Sequence, residues 1–122
     1  MEISMTSEKQ IVVDDLKSAK HMQSGGLMVF ATPAMVAGME SVCFELSEKY
    51  MADGETTVGT KLDIAHVKAT AVGDTVTFKC EVIALEGRKQ VYKVEAFDSK
   101  GKIGEGTHER FVINIEKFMS RL

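Results

Sequence analysis

Hydrophobic positions along the chain change period once, and the change divides it into a helical part and a sheet part. Between residues 30 and 50 (FATPAMVAGMESVCFELSEKY), Met35, Met39, Val42 and Leu46 fall on one i, i+4, i+7, i+11 stripe. Val36, Cys43 and Phe44 widen that stripe until little of the first half is left to face water. The spacing predicts one buried helix, with Thr32 as its hydroxyl N-cap and Pro33 at the first helical position. Upstream, residues 10–13 (QIVV) form a short strand candidate, and residues 16–23 read as a loop or a short helical turn. Ser24-Gly25-Gly26 is either a turn or a place where backbone approaches a ligand.

Beyond a loop at 51–55, whose Gly54 is read as ending the helix, period two takes over. Four strands are predicted, at 56–70, 75–85, 89–97 and 102–115, followed by a short polar tail. Thr60, Leu62, Ile64 and His66 share a face of the first, and Val76, Phe78, Cys80, Val82 and Ala84 share a face of the second. Gly73-Asp74, Glu86-Gly87-Arg88 and Asp98–Gly101 are the turns, and short turns make consecutive strands antiparallel neighbours. A helix apolar nearly all round must be covered on most sides, so the sheet is expected to curl around it. The expected architecture is α+β: a hot-dog fold, with a long central helix wrapped by a curled antiparallel sheet of about five strands. Such a sheet leaves a long edge, so a homodimer is expected, with a tetramer left open.

The 122 residues make a single domain (1–122), long enough to remove roughly two thirds of the unfolded chain's surface from water. Fifteen basic against 18 acidic residues, with no basic run, speak against nucleic acid. No apolar segment has the length of a membrane span, and the first ten residues lack a signal peptide's apolar core, so a cytoplasmic protein is expected. Cys43 and Cys80 read as buried reduced thiols.

Glu40 is the single carboxylate between Pro33 and Phe44, expensive in such a helix unless paired, hydrogen-bonded or wet. It is either a partly solvated or interface-paired acid, or a general base or nucleophile in a dry cleft. His66 points towards the apolar face and is either a satisfied core residue or half of a proton-handling pair with Glu40. Thr32 caps the helix or orients water or substrate. Eight residues of regular helix put Thr32 and Glu40 ~12 Å apart along the axis. Both serve one site only if the first turn is irregular or a second subunit supplies one of them. Flanking charges place His108 in a partly exposed strand with local ion pairs. No HExxH, CxxC or HxH spacing supports a metal site, and no Gly-x-Ser-x-Gly elbow supports a serine hydrolase.

Five stretches occur together in order: Phe30-Ala31-Thr32; Met39-Glu40; Gly59-Thr60 with His66-x-x-Ala69-Thr70; Glu86-Gly87-Arg88; and Ile103-Gly104-x-Gly106-Thr107-His108-Glu109-Arg110. This pattern resembles the fluoroacetyl-CoA thioesterase-like branch of the hot-dog thioesterases. The resemblance implies a metal-independent acyl-CoA thioesterase that hydrolyses a small acyl-CoA, with no cofactor beyond the CoA of the substrate. It implies Thr32, Glu40 and His66 as catalytic residues and Phe30, Gly59, Thr60 and Arg110 as substrate-binding residues. Lys61, Lys68, Arg88 and Lys102 are candidates for the CoA phosphates. The fluoroacetyl-specific enzyme carries a phenylalanine-bearing lid before its helix. Residues 22–27 (MQSGGL) hold no aromatic, so the resemblance extends to thioester hydrolysis and not to fluoroacetyl selectivity. The alternative is a non-catalytic hot-dog protein that binds acyl-CoA or another small hydrophobic ligand.

Overall fold

A 17-residue helix, α2 (Thr32–Glu48), lies against one five-stranded antiparallel sheet in a computed structural model that describes all 122 residues. The strands are β1 (Thr6–Val12), β2 (Glu55–His66), β3 (Thr75–Glu86), β4 (Lys89–Asp98) and β5 (Gly101–Asn114), in spatial order β1-β3-β4-β5-β2. A single 3₁₀ turn (Asp15–Lys17) and a four-residue helix α1 (Ala19–Met22) fill the stretch before α2. The tail is a further short helix, α3 (Ile115–Ser120), capped by the Asn114 side chain on the Lys117 N–H.

The core is the interface that the two hydrophobic periods make together. Met35, Met39, Val42, Cys43 and Leu46 of α2 meet Val76, Phe78, Cys80 and Val82 of β3 and Tyr92, Val94 and Ala96 of β4. Burying each of the larger side chains contributes about 1.5–3 kcal/mol. Gly38 lets α2 come close, since a Cβ there would overlap the Phe78 ring. Cys43 and Cys80 are buried and form no disulfide, Cys80 Sγ donates to the Val42 carbonyl at 3.7 Å, and burial pushes the Cys43 thiol up.

Several sequence expectations change. The helix starts one residue earlier in its frame than expected: Ala31 is the N-cap, Thr32 the first helical residue, and no side chain caps the turn. The Thr32 hydroxyl is engaged elsewhere. Only one side of α2 is covered, leaving Ala37 exposed, Val36 half-buried and Phe44 37% exposed. Gly54 lies beyond the helix end and serves the turn into β2, with φ +82°.

Consecutive strands are neighbours from β3 to β5, but β2 pairs with β5 at the far edge of the sheet. The reason is the segment 67–74, a crossing connection that ends in the expected turn, where Asp74 N–H bonds the Ala71 carbonyl at 3.2 Å. Phe30 N–H bonds the Thr70 carbonyl and Val13 N–H the Asp74 carbonyl, so the segment passes under the helix entrance to reach β3. A bulge between Gly59 and Lys61 removes Thr60 from the ladder. Thr57 and Gly59 before it, and Leu62, Ile64 and His66 after it, all face α2.

Candidate active site

The expected catalytic residues fall into two groups at different heights along α2. At the amino end, the Thr32 hydroxyl and His66 Nδ1 are 2.7 Å apart, joining the first turn of the helix to the last residue of β2. Phe30 lies edge-on to the imidazole at 6.4 Å and is buried, which fixes one wall of the pair. A hollow of about 310 Å³ opens beside them, lined by Phe30, Thr32, His66, Val67 and Lys68 among others. Burial lowers the pKa of His66 and keeps the ring neutral at pH 7, with the Lys68 backbone opposing the shift. Nε2 is sealed from solvent and has no hydrogen-bond partner. A Thr32 hydroxyl that donates to Nδ1 leaves the ring proton on Nε2.

The second group surrounds Glu40, two turns further along. Its Oε2 is 4.0 Å from Arg110 Nη1, and its side chain is 40% exposed. Arg110 itself is buried and fully engaged: Nε donates to Thr57 Oγ1 at 2.9 Å and Nη2 to the Thr57 carbonyl at 3.0 Å. Phe44 packs over the guanidinium at 5.6 Å. Gly59 faces the carboxylate so closely that a Cβ there would stand 2.6 Å from Glu40 Oε2. Its role is to make room.

His108 departs from expectation. It is 1% exposed, stacks on Tyr92, and sets Nδ1 2.8 Å from the Lys61 carbonyl and Nε2 3.1 Å from Arg110 Nη1. Only the tautomer with a proton on Nδ1 satisfies both contacts, since Nδ1 must donate to the carbonyl and Nε2 accept from the guanidinium. Desolvation lowers its pKa in keeping with that neutral form. The charged neighbours that suggested exposure, Glu105 and Glu109, alternate onto the opposite face of β5. The usable signal was parity: His108 shares it with Arg110, and Arg110 faces the helix.

Thr60, expected at the substrate, is the bulged residue, and its hydroxyl donates to the Glu109 carbonyl at 3.2 Å. Lys61 lies 4.0 Å from Glu109, and Lys102 bonds both Glu95 and Glu105. No three His, Cys, Asp or Glu side chains converge as a metal would require. No helix is long and apolar enough to cross a membrane.

A helix laid on a curled five-stranded sheet, with an uncapped helix entrance beside a threonine–histidine pair, defines the hot-dog thioesterase class. Comparison with solved structures gives the same class. The fluoroacetyl-CoA thioesterase FlK superposes with TM-score 0.95 and 35% identity, covering 99% of this chain and 94% of that one. A hot-dog-like protein from Thermanaerovibrio acidaminovorans shares the fold at TM-score 0.91 and 21% identity, over 99% and 90% of the two chains. The family model described as fluoroacetyl-CoA-specific thioesterase matches residues 13–116, and the chain belongs to that family. The fluoroacetyl-CoA thioesterase of Streptantibioticus cattleyicolor is 43% identical over 94 residues, 77% of this chain and 68% of that protein. The protein is a thioester hydrolase acting on acyl-CoA.

Proposed function

We propose that the protein hydrolyses small acyl-CoA thioesters in a site built across a homodimer. Thr32 and His66 come from one protomer, and Glu40, Gly59 and Arg110 from its partner. The observation that carries this is the separation within one chain. The first turn of α2 is regular helix, so Thr32 and Glu40 are held ~12 Å apart, too far to act on one carbonyl. The surfaces that a partner needs are present: the half-exposed side of α2 with Val36 and Phe44, and β2, an edge strand of 12 residues with one neighbour. Two-fold pairing of such edges buries both.

In this reading a small acyl group enters the hollow beside Phe30 and Thr32. The first-turn N–H groups of α2, uncapped by any side chain, and the helix dipole stabilise the oxyanion that develops on the carbonyl. Glu40, steadied by Arg110, removes a proton from water as the oxygen adds to the carbonyl carbon. Collapse of the tetrahedral intermediate breaks the C–S bond, and the departing thiolate takes the proton that Glu40 removed from water while the N–H of His66, which Thr32 orients, hydrogen-bonds the sulfur. No residue in 22–27 supplies an aromatic lid, which favours a general small acyl substrate over fluoroacetyl alone.

Thiol release from short, medium and aryl acyl-CoAs, compared with Glu40→Gln and His66→Ala, tests the reaction. Mixing tests the site's location. Each variant alone is inactive, yet a heterodimer of the two rebuilds one intact site of two, so random mixing restores roughly a quarter of wild-type activity for a C2 dimer. No recovery after demonstrated subunit exchange places all three groups in one chain and overturns the shared site.

A further inference from the structure

One cluster of basic residues lies outside the site just described. The β3–β4 hairpin, the start of β2, the end of β5 and α3 enclose a hollow of about 300 Å³. Arg88, Lys117 and Arg121 line it from the hairpin and the terminal helix, and Phe111 and Phe118 line it with them. The walls are fixed by backbone bonds: Val112 N–H to the Arg88 carbonyl at 2.9 Å, and Ile115 N–H to the Gly54 carbonyl at 2.9 Å.

None of the three cations is in a salt bridge, whereas seven of the chain's 15 basic residues, Lys9, Lys17, Lys61, Lys89, Lys93, Lys102 and Arg110, each have an acidic partner. The one acid at the hollow, Glu55, turns its carboxylate to the Ala52 N–H at 3.3 Å. A chain of net charge −3 therefore keeps an unneutralised positive spot beside exposed aromatic surface. Guanidinium groups pair with phosphate oxygens through parallel N–H bonds, and a ring face accepts a stacked base.

Position relates this hollow to the carboxylate. Gly59, against Glu40, pairs with Arg110, and Glu55, at the hollow, pairs with Asn114. Four residues of strand separate the two points by ~13 Å, a span that an extended pantetheine arm covers. Of the four lysines and arginines that sequence offered for the CoA phosphates, Lys61 and Lys102 are held by carboxylates, and Lys68 lies at the Thr32–His66 hollow. Arg88 is the one that sits with two other free cations.

We propose that Arg88, Lys117 and Arg121 hold the phosphorylated adenosine end of the CoA thioester, with Phe111 or Phe118 against the base. The proposal rests on the thioesterase reading, and its test separates the two. Binding of 3′,5′-ADP and of CoA is measured by calorimetry on the wild type and on the triple variant Arg88→Gln/Lys117→Gln/Arg121→Gln. In parallel, KM is measured for acetyl-CoA, acetyl-dephospho-CoA and acetylpantetheine. The three side chains are exposed, so the variant folds, which a thermal melt verifies.

Loss of the charged contacts is expected to weaken 3′,5′-ADP binding and raise KM for acetyl-CoA by ~10-fold or more. The wild type's preference for acetyl-CoA over acetylpantetheine should then disappear in the variant. A higher KM for acetyl-dephospho-CoA in the wild type assigns the cluster to the 3′-phosphate, and an equal one assigns it to the diphosphate. Unchanged 3′,5′-ADP binding with an unchanged preference overturns the site while hydrolysis stands. Absence of hydrolysis in the wild type overturns the reaction, and the binding measurement still decides the site.

Discussion

A methyl group on Gly59 displaces the proposed base without altering its chemistry. The added Cβ stands 2.6 Å from Glu40 Oε2, 3.1 Å from His108 Cε1 and 3.4 Å from Arg110 Nη1. The imidazole and guanidinium are anchored by the Lys61 carbonyl and by Thr57, whereas the carboxylate is 40% exposed and has Arg110 alone at 4.0 Å. The carboxylate is therefore the group that yields, by roughly 0.8 Å to regain ordinary contact. A displacement on the order of 1 Å at a reacting group costs about 10²-fold, so Gly59→Ala is expected to lower kcat by ~10- to 100-fold. Stability should hardly move, because alanine is favoured over glycine within a strand by roughly 0.5–1 kcal/mol, which offsets the new contact. Thiol release from acetyl-CoA and a thermal melt measure the two quantities. Wild-type kcat would refute the claim that the carboxylate's position matters. A collapsed melting temperature would refute the claim that only the carboxylate gives way.

Thr32→Val removes the hydroxyl that meets His66 but no helix cap. Turnover is expected to fall on the order of 10²-fold, while the melt stays within the roughly ±0.5 kcal/mol typical of surface changes; loss of ~1 kcal/mol would restore the capping role. Gly38→Ala drives a methyl into the buried Phe78 ring and should destabilise the fold by about 1–3 kcal/mol, read by urea denaturation, and an unchanged midpoint would place the ring elsewhere. Burial lowers the pKa of both His66 and His108, so the unfolded chain takes up protons that the folded chain refuses. Stability from this source is complete above the ordinary histidine value of about 6.5 and is lost as pH falls through the folded values. The melting temperature is expected to drop on acidification below about pH 6.5, less steeply in His108→Asn, and equal slopes would show that His108 is not the group responsible.

Most of the scaffold was legible because hydrophobic period is a local property. The shift from a 3.6-residue to a two-residue repeat gave one helix and four strands with their turns, the candidate at 10–13 caught the end of the fifth, and the buried stripe of α2 is the one read from spacing. Pairing order was not legible for β2, since its partner is set by a crossing segment held through contacts with Phe30 and Val13, far away in sequence. Thr32 was misread as a cap for a similar reason: Ala31 and Thr32 differ by one residue in frame, and the histidine that claims the hydroxyl lies 34 residues on. Glu40, Gly59 and Arg110 were legible as site candidates and do meet. His108 was hidden by charged neighbours that belong to the other face of its strand.

The bulge at Thr60 makes β2 a strand with two independent phases. Ahead of it, odd-numbered positions look at the helix and deliver Gly59 to the carboxylate; behind it, even-numbered positions do, and deliver His66 to Thr32. One surplus residue thus changes the numbering parity between the half-sites, while both lie on the same side of the sheet. Deleting Thr60 would leave Lys61 opposite Glu109 and Leu62 opposite His108, a regular ladder in which Leu62, Ile64 and His66 still face the helix; what would go is the bend and added twist that a bulge gives its strand. The bulge therefore sets the angle at which the two halves of β2 meet, and with it how the carboxylate end and the histidine end of the strand are aimed at α2.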